Sequence, residues 1–170
     1  MGIQILNKDV SVISSVMGKA KASIGSIFGK TGWSGGGGAD VTPNPTPNWA
    51  DISIDENTGL YTTAVQQVQG ISSPITLELS INNASFITIY YKVDGSAPSW
   101  TNGGTQWDGN SIGWTQIISF PVTFSVSNNQ YVSFGCTSLS LAVIRTLTVK
   151  NNSDGAATLD TFTATVTTSE

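Results

Sequence analysis

The chain has 170 residues, enough for one domain and an appendage, and 39% of them are hydrophobic. It contains no histidine, a single cysteine and only 11% charged residues, so the groups that enzymes most often use near neutral pH are scarce. Its net charge of −4 argues against general nucleic-acid binding, which needs basic surface to neutralise phosphates. We therefore expect a binding or assembly protein that is not an enzyme and needs no cofactor.

The first 33 residues differ in charge from the rest of the chain. They hold four lysines against one aspartate, a charge of +3, whereas residues 34–170 hold three basic and ten acidic residues, a charge of −7. A run of four glycines at 35–38 and alternating prolines at 43–47 are typical of a linker. The sequence thus predicts a basic arm at 1–33, a linker at 34–48 and a body at 49–170.

The arm contains a near-repeat, because Ile-Ser-Ser-Val-Met-Gly-Lys at 13–19 matches Ile-Gly-Ser-Ile-Phe-Gly-Lys at 24–30. Apolar residues at steps of three and four fit one helical face, whereas the interior glycines and β-branched residues suit an extended chain with turns. The sequence leaves both conformations open. Such a short segment cannot bury its own apolar residues, so we expect it to dock on protein and not on a membrane. The residues expected to dock are Ile13, Val16, Met17, Lys19, Lys21, Ile24, Ile27, Phe28 and Lys30.

The body shows alternating apolar and polar residues, the period of half-buried strands, with turn residues between the runs. About eight short strands are predicted, and no helix is needed. We expect an all-β, two-sheet antiparallel sandwich of immunoglobulin-like or jelly-roll topology, preceded by the arm. The strand-like runs lie at 51–55, 60–65, 75–81, 86–93, 115–120, 122–126, 131–136, 142–149 and 158–166.

A long loop at 94–114 is the most distinctive stretch of the body, and long loops without secondary structure are often functional. Its tryptophans could stack on sugar rings while polar side chains bind hydroxyls, which makes a glycan site one hypothesis. The alternative is that the rings pack the loop onto the sandwich or fill a subunit interface. Oxygen ligands for Ca²⁺ are present as well, but their spacing matches no calcium loop, so we expect no metal site. The candidate glycan or interface residues are Trp100, Trp107, Trp114, Asn102 and Asp108.

Groups that could carry catalysis are few. Asp51 and Asp55 would share one face of a strand, as an acid–base pair would, but they flank a turn where solvated carboxylates are normal. Cys136 lies in a strand-like run and is expected to be a small buried core residue. No nucleophile, zinc or phosphate-loop motif occurs in the sequence.

The chain also lacks the roughly 20 consecutive apolar residues needed to span a bilayer. Its first residues, Met-Gly-Ile-Gln-Ile-Leu, do not show a basic segment followed by an apolar one. We therefore expect no secretory signal and no membrane partner.

Three stretches carry a resemblance to a known class of proteins. The arm, with its near-repeat and Gly-Lys-Ala-Lys-Ala-Ser-Ile at 18–24, resembles N-terminal segments of small virion proteins of tailed bacteriophages. Residues 128–135 and 147–163 are similar to β-sandwich modules of the same class. The resemblance implies a structural protein of the virion, in capsid decoration or at a neck, tail or baseplate position, with no catalytic residues to carry over.

The same resemblance implies the partners. The arm would dock on capsid, neck or tail subunits, and the protein would occur as a homo-oligomer or as symmetry-repeated copies. Self-association also follows from the predicted sandwich, since the edges of isolated sheets need cover.

Overall fold

The computed structural model describes residues 15–16, 19–20, 39–55, 60–104, 113–138 and 144–167. The chain divides into two compact units, Met1–Ala39 and Asp40–Glu170. In the first unit, strand β1 (Ser15–Val16) pairs antiparallel with strand β2 (Lys19–Ala20). These four residues are therefore extended, which is the non-helical alternative that the sequence left open for the arm.

The second unit, which we call the body, is built mainly from strands in its described part, with one short 3-10 helix at Asn152–Asp154 between the last two strands. They form a four-stranded sheet in the order β5–β10–β7–β8 and a six-stranded sheet in the order β4–β3–β12–β11–β6–β9. All pairs are antiparallel except β3 with β12. The predicted all-β, two-sheet sandwich is confirmed. The strands are β3 (Ile52–Asp55), β4 (Leu60–Tyr61), β5 (Ala64–Val68), β6 (Ile75–Ile81), β7 (Ile87–Asp94), β8 (Thr115–Gln116), β9 (Val122–Val126), β10 (Gln130–Ser138), β11 (Ile144–Asn151) and β12 (Ala157–Thr167).

The strand order is closer to an immunoglobulin-type sandwich than to a jelly roll. In the immunoglobulin fold, strands F and G form a hairpin beside strand C, and strand B pairs with strand E. Here the hairpin β11–β12 lies beside β6, and β5 pairs with β10. In the sequence, β7 and β8 lie between β6 and β9, but they belong to the four-stranded sheet. This arrangement departs from the immunoglobulin order.

The core lies between the sheets and follows from the alternation along each strand. In β6, Ile75, Leu77 and Leu79 are fully buried while Thr76 is exposed, because successive side chains of a strand point to opposite faces. The central residue is Phe134 of β10, whose ring centroid lies 5.6 Å from that of Trp49, 5.6 Å from that of Phe162 and 6.3 Å from that of Phe124.

Residues 40–48, which the sequence assigns to the linker, lie in the second compact unit, since that unit begins at Asp40. The backbone amide of Asn44 donates to the carbonyl of Gln69 over 2.9 Å, and two prolines of the stretch are buried, Pro43 and Pro47. A chain of alternating prolines is extended and stiff, so it can lie along a folded surface as readily as it can cross solvent. Residues 40–48 therefore form part of the body.

This docking depends on a glycine. Gly70 has φ +79°, and a Cβ atom there would lie 2.6 Å from the carbonyl oxygen of Asn44. Next to this contact, the amide of Asp40 donates to Oγ of Ser72 over 2.7 Å, and the amide of Ser72 donates to the carbonyl of Asp40 over 2.9 Å. Only a residue without a side chain permits this approach.

Candidate functional site

The described part of the long loop, residues 95–104 and 113–114, contacts the outer face of the four-stranded sheet through Trp100. Ser133 of β10 lies on this outer face, because its sequence neighbours Val132 and Phe134 point into the core. Lys92 of β7 lies opposite Ser133 on the same face. Ser133 is nevertheless fully buried. Trp100 lies against it, with its ring Nε1 donating to the Ser133 hydroxyl over 3.2 Å. The loop therefore has a built contact with the sheet.

Four side chains meet here, and we call them the tryptophan–lysine cluster: Lys92, Asp94, Trp100 and Trp114. The two indole rings have centroids 5.6 Å apart at 32°. The Lys92 ammonium lies over the Trp100 ring, 5.1 Å from its centroid, and pairs with Asp94 Oδ1 at 3.1 Å. A cation in this position is attracted by the negative face of the ring.

The cluster bears on the two hypotheses for the tryptophans. A sugar stacks on an open ring face, whereas one face of Trp100 lies beneath Lys92 and its Nε1 is already bound to Ser133. These contacts favour the packing alternative for Trp100. Trp107 and Asp108, the other two loop residues of the hypothesis, lie outside the described residues.

Asn102 anchors the loop to the rest of the body through its whole amide group. Its Oδ1 accepts from the amides of Ala50 over 2.9 Å and Val65 over 3.0 Å, and its Nδ2 donates to the carbonyl of Asn48 over 3.3 Å. An amide oxygen has two lone pairs, so both are used. The glycan hypothesis assigns this side chain to a sugar hydroxyl, whereas in the structure its amide group binds backbone.

The described carboxylates are likewise engaged within the fold. Asp51 Oδ1 accepts from the amide of Thr163 over 2.7 Å, and Asp160 accepts from the amides of Trp49 and Thr161. Among the residues that the structure describes, no three His, Cys, Asp or Glu side chains come together as a metal would require.

Cys136 of β10 is fully buried, as predicted from its strand-like surroundings. Burial in the core disfavours the charged thiolate and raises the pKa of Cys136 to about 12. The side chain is therefore a neutral core residue at neutral pH.

Most of the predicted docking residues of the arm lie outside the described part of the chain. The structure describes the backbone of two of them, Val16 and Lys19, which face each other across the β1–β2 pair. The residues outside it are Ile13, Met17, Lys21, Ile24, Ile27, Phe28 and Lys30.

In the part of the chain that the structure covers, no helix has the length and hydropathy to cross a bilayer. No protein-family model, no curated protein and no solved structure matches this chain. The described part of the body is an all-β sandwich, and its distinctive loop is bound to the four-stranded sheet through Trp100.

Because Trp100 anchors the loop to the sheet, truncating its side chain should destabilise the fold. We expect Trp100→Ala to lower the free energy of unfolding by about 2 kcal/mol, because the ring contacts and the bond to Ser133 are lost together. Trp100→Phe keeps a ring against Trp114 and should lose about 1 kcal/mol. Urea unfolding followed by circular dichroism measures both. An unchanged stability of Trp100→Ala would contradict the packing role and favour a glycan-binding one.

Proposed function

We propose that this protein is a non-enzymatic structural component of a tailed-bacteriophage virion. The basic arm would dock onto capsid, neck or tail subunits, and the sandwich would decorate or cement the particle. The observation that carries the proposal is the division into two units of opposite charge, since residues 1–33 carry +3 and residues 34–170 carry −7. A separate basic, apolar segment ahead of a folded acidic body suits an anchor better than a part of the body's own core.

The chemistry of the body supports a static role. Its most distinctive loop is held by Trp100 and Asn102, its single thiol is neutral in the core, and Asp51 and Asp160 bind backbone amides. Each of these groups contributes to holding the sandwich together. Such use of polar groups suits a protein whose task is to present a stable surface to its neighbours.

The resemblance to phage modules falls on defined elements of the body. The first stretch, 128–135, contains the turn into β10 and the first part of that strand. The second, 147–163, contains most of the β11–β12 hairpin, whose turn has an Asn151 cap and a left-handed Gly155. These elements support the proposal as pieces of a sandwich with tight turns, the architecture common in surface and assembly domains.

The test uses the full chain with the arm charges reversed. We expect Lys19→Glu, Lys21→Glu and Lys30→Glu together to abolish incorporation into particles, because the arm changes from +3 to −3 and no longer suits an acidic docking surface. The triple Lys→Arg variant at the same positions keeps the charge and should be incorporated like the natural chain. Quantitative mass spectrometry of purified particles gives the number of chains in each particle.

Unchanged incorporation of the glutamate variant would refute arm docking, provided that its body unfolds at the same temperature as that of the natural chain. Cryo-electron microscopy of the assembly that co-purifies with the natural chain distinguishes head from neck or tail. A chain that purifies with no assembly at all would contradict the virion role itself.

A further inference from the structure

The two sheets of the body have four edges, and three of them are blunted. Strands β4 and β8 are each only two residues long, too short to template a partner strand. The edge at β5 is covered by the loop, since Asn102 accepts from the amide of Val65 and the amide of Gly103 donates to the carbonyl of Thr63 over 2.7 Å. Short edge strands and covering loops are the usual means of preventing sheet-to-sheet association.

Strand β9, Val122–Val126, is the fourth edge, and none of these devices is present at it in the part of the chain that the structure describes. It pairs with β6 on one side, and among the described residues its other side has no backbone partner. It contains neither a charged residue nor a proline. The whole stretch 109–144 has no charged residue, although the chain carries −4. Two copies that meet along β9 would therefore bring no charged residue of this stretch into contact, and Glu78 of β6 is set back by one strand, opposite Thr123.

The sequence of β9 is nearly symmetric about its centre. It reads Val-Thr-Phe-Ser-Val, so an antiparallel copy centred on Phe124 places each valine opposite a valine and each hydroxyl residue opposite the other. Val126 and Phe124 point into the core, whereas Thr123 and Ser125 are exposed on the outer face. Such pairing would join core to core and hydroxyl to hydroxyl, which is the match that cross-strand pairs favour.

A large exposed apolar side chain lies on the segment that leads into β9. Ile118 is 91% exposed and lies on the connection from β8, the edge of one sheet, to β9, the edge of the other. Ile118 is thus exposed apolar surface four positions before the start of β9.

We propose that β9 pairs antiparallel with β9 of a second copy of this chain, about a two-fold axis at Phe124, so that the two six-stranded sheets become continuous. An interface of this kind is isologous, because the same strand is used by both copies. The inference depends only on the edges of the body and stands whether or not the protein belongs to a virion.

Substituting charged residues on the outer face of β9, in the full chain, tests the proposed strand pair. In the proposed pair, Thr123 of one copy lies opposite Ser125 of the other, so Thr123→Lys with Ser125→Lys sets lysine against lysine twice. The double glutamate variant sets glutamate against glutamate. Like charges directly opposite each other are unfavourable, and opposite charges are favourable. We expect each variant alone to dimerise at least tenfold more weakly than the natural chain and the equimolar mixture to form a heterodimer.

Sedimentation velocity from micromolar to millimolar concentration measures the dimer, and amide exchange over residues 122–126 should slow as concentration rises. The double substitution Ser53→Lys and Thr161→Lys, at exposed positions of the interior strands β3 and β12, is the matched control and should dimerise normally. A natural chain that stays monomeric overturns the proposal. So does a lysine variant that dimerises like the natural chain, or a dimer that leaves exchange at 122–126 unchanged, since another surface or occupant would then be in use.

Discussion

Replacing Phe134 with alanine is expected to lower the free energy of unfolding by about 3–5 kcal/mol, a large fraction of the stability of a domain this size. Its side chain is fully buried at the centre of the sandwich and contacts the rings of Trp49, Phe124 and Phe162. Removing it leaves a cavity bounded by both sheets, which rigid strands cannot close. Urea unfolding at pH 7, followed by circular dichroism, measures the loss.

Two further variants test whether the loss of stability comes from the cavity at position 134. Phe134→Leu fills most of the volume and should lose about 1–2 kcal/mol. Thr161→Ala, an exposed position on β12, should change the stability by less than about 0.5 kcal/mol. Equal stabilities of the alanine and leucine variants at position 134 would show that the ring does not fill the core as described.

Cys136 is expected to resist alkylation in the folded protein far more strongly than in urea. The thiolate is the reactive form, and a pKa raised by burial from 9.0 to about 12 lowers its fraction at pH 8 about 1,000-fold. Full burial of the side chain also excludes the reagent. Mass spectrometry after a timed pulse of iodoacetamide measures the rate. Rapid labelling of the native chain, at a rate independent of urea, would contradict the burial of Cys136.

The raised pKa of the Cys136 thiol predicts how the free energy of unfolding changes at alkaline pH. Because the pKa in the fold lies above the unfolded value, the contribution of Cys136 is fully present below pH 9 and is lost as the pH rises towards about 12. The loss is about 1 kcal/mol for each pH unit in that window. Cys136→Ala removes the thiol, so the difference between the two pH profiles isolates the contribution of Cys136.

The alternation of apolar and polar residues predicted most of the strands, because the period of two is a local property that survives without knowledge of the partners. The run at 75–81 is β6, and the run at 122–126 is β9. The run at 60–65 was predicted as one strand, whereas the structure ends β4 at Tyr61 and begins β5 at Ala64 in the other sheet. A local pattern does not show a change of sheet, because both sheets bury the same kind of residue.

The candidate site was predicted less completely. The sequence indicated the loop and its tryptophans, since a long, aromatic-rich stretch without periodicity stands out. It did not indicate that Asn102 would bind the amides of Ala50 and Val65, which lie 52 and 37 positions away in the chain. The local sequence around an asparagine does not show whether its side chain binds distant backbone or a ligand.

Composition and short-range periodicity were enough to predict the all-β class, the opposite charges of arm and body, and the turn at 152–155. Only the folded chain shows that residues 40–48 lie on the body, that Trp100 covers Ser133, and that the outer side of β9 has no backbone partner among the described residues. Each of these depends on which distant segments become neighbours. That choice is made when the two sheets close over the shared core around Phe134, and no local pattern contains it.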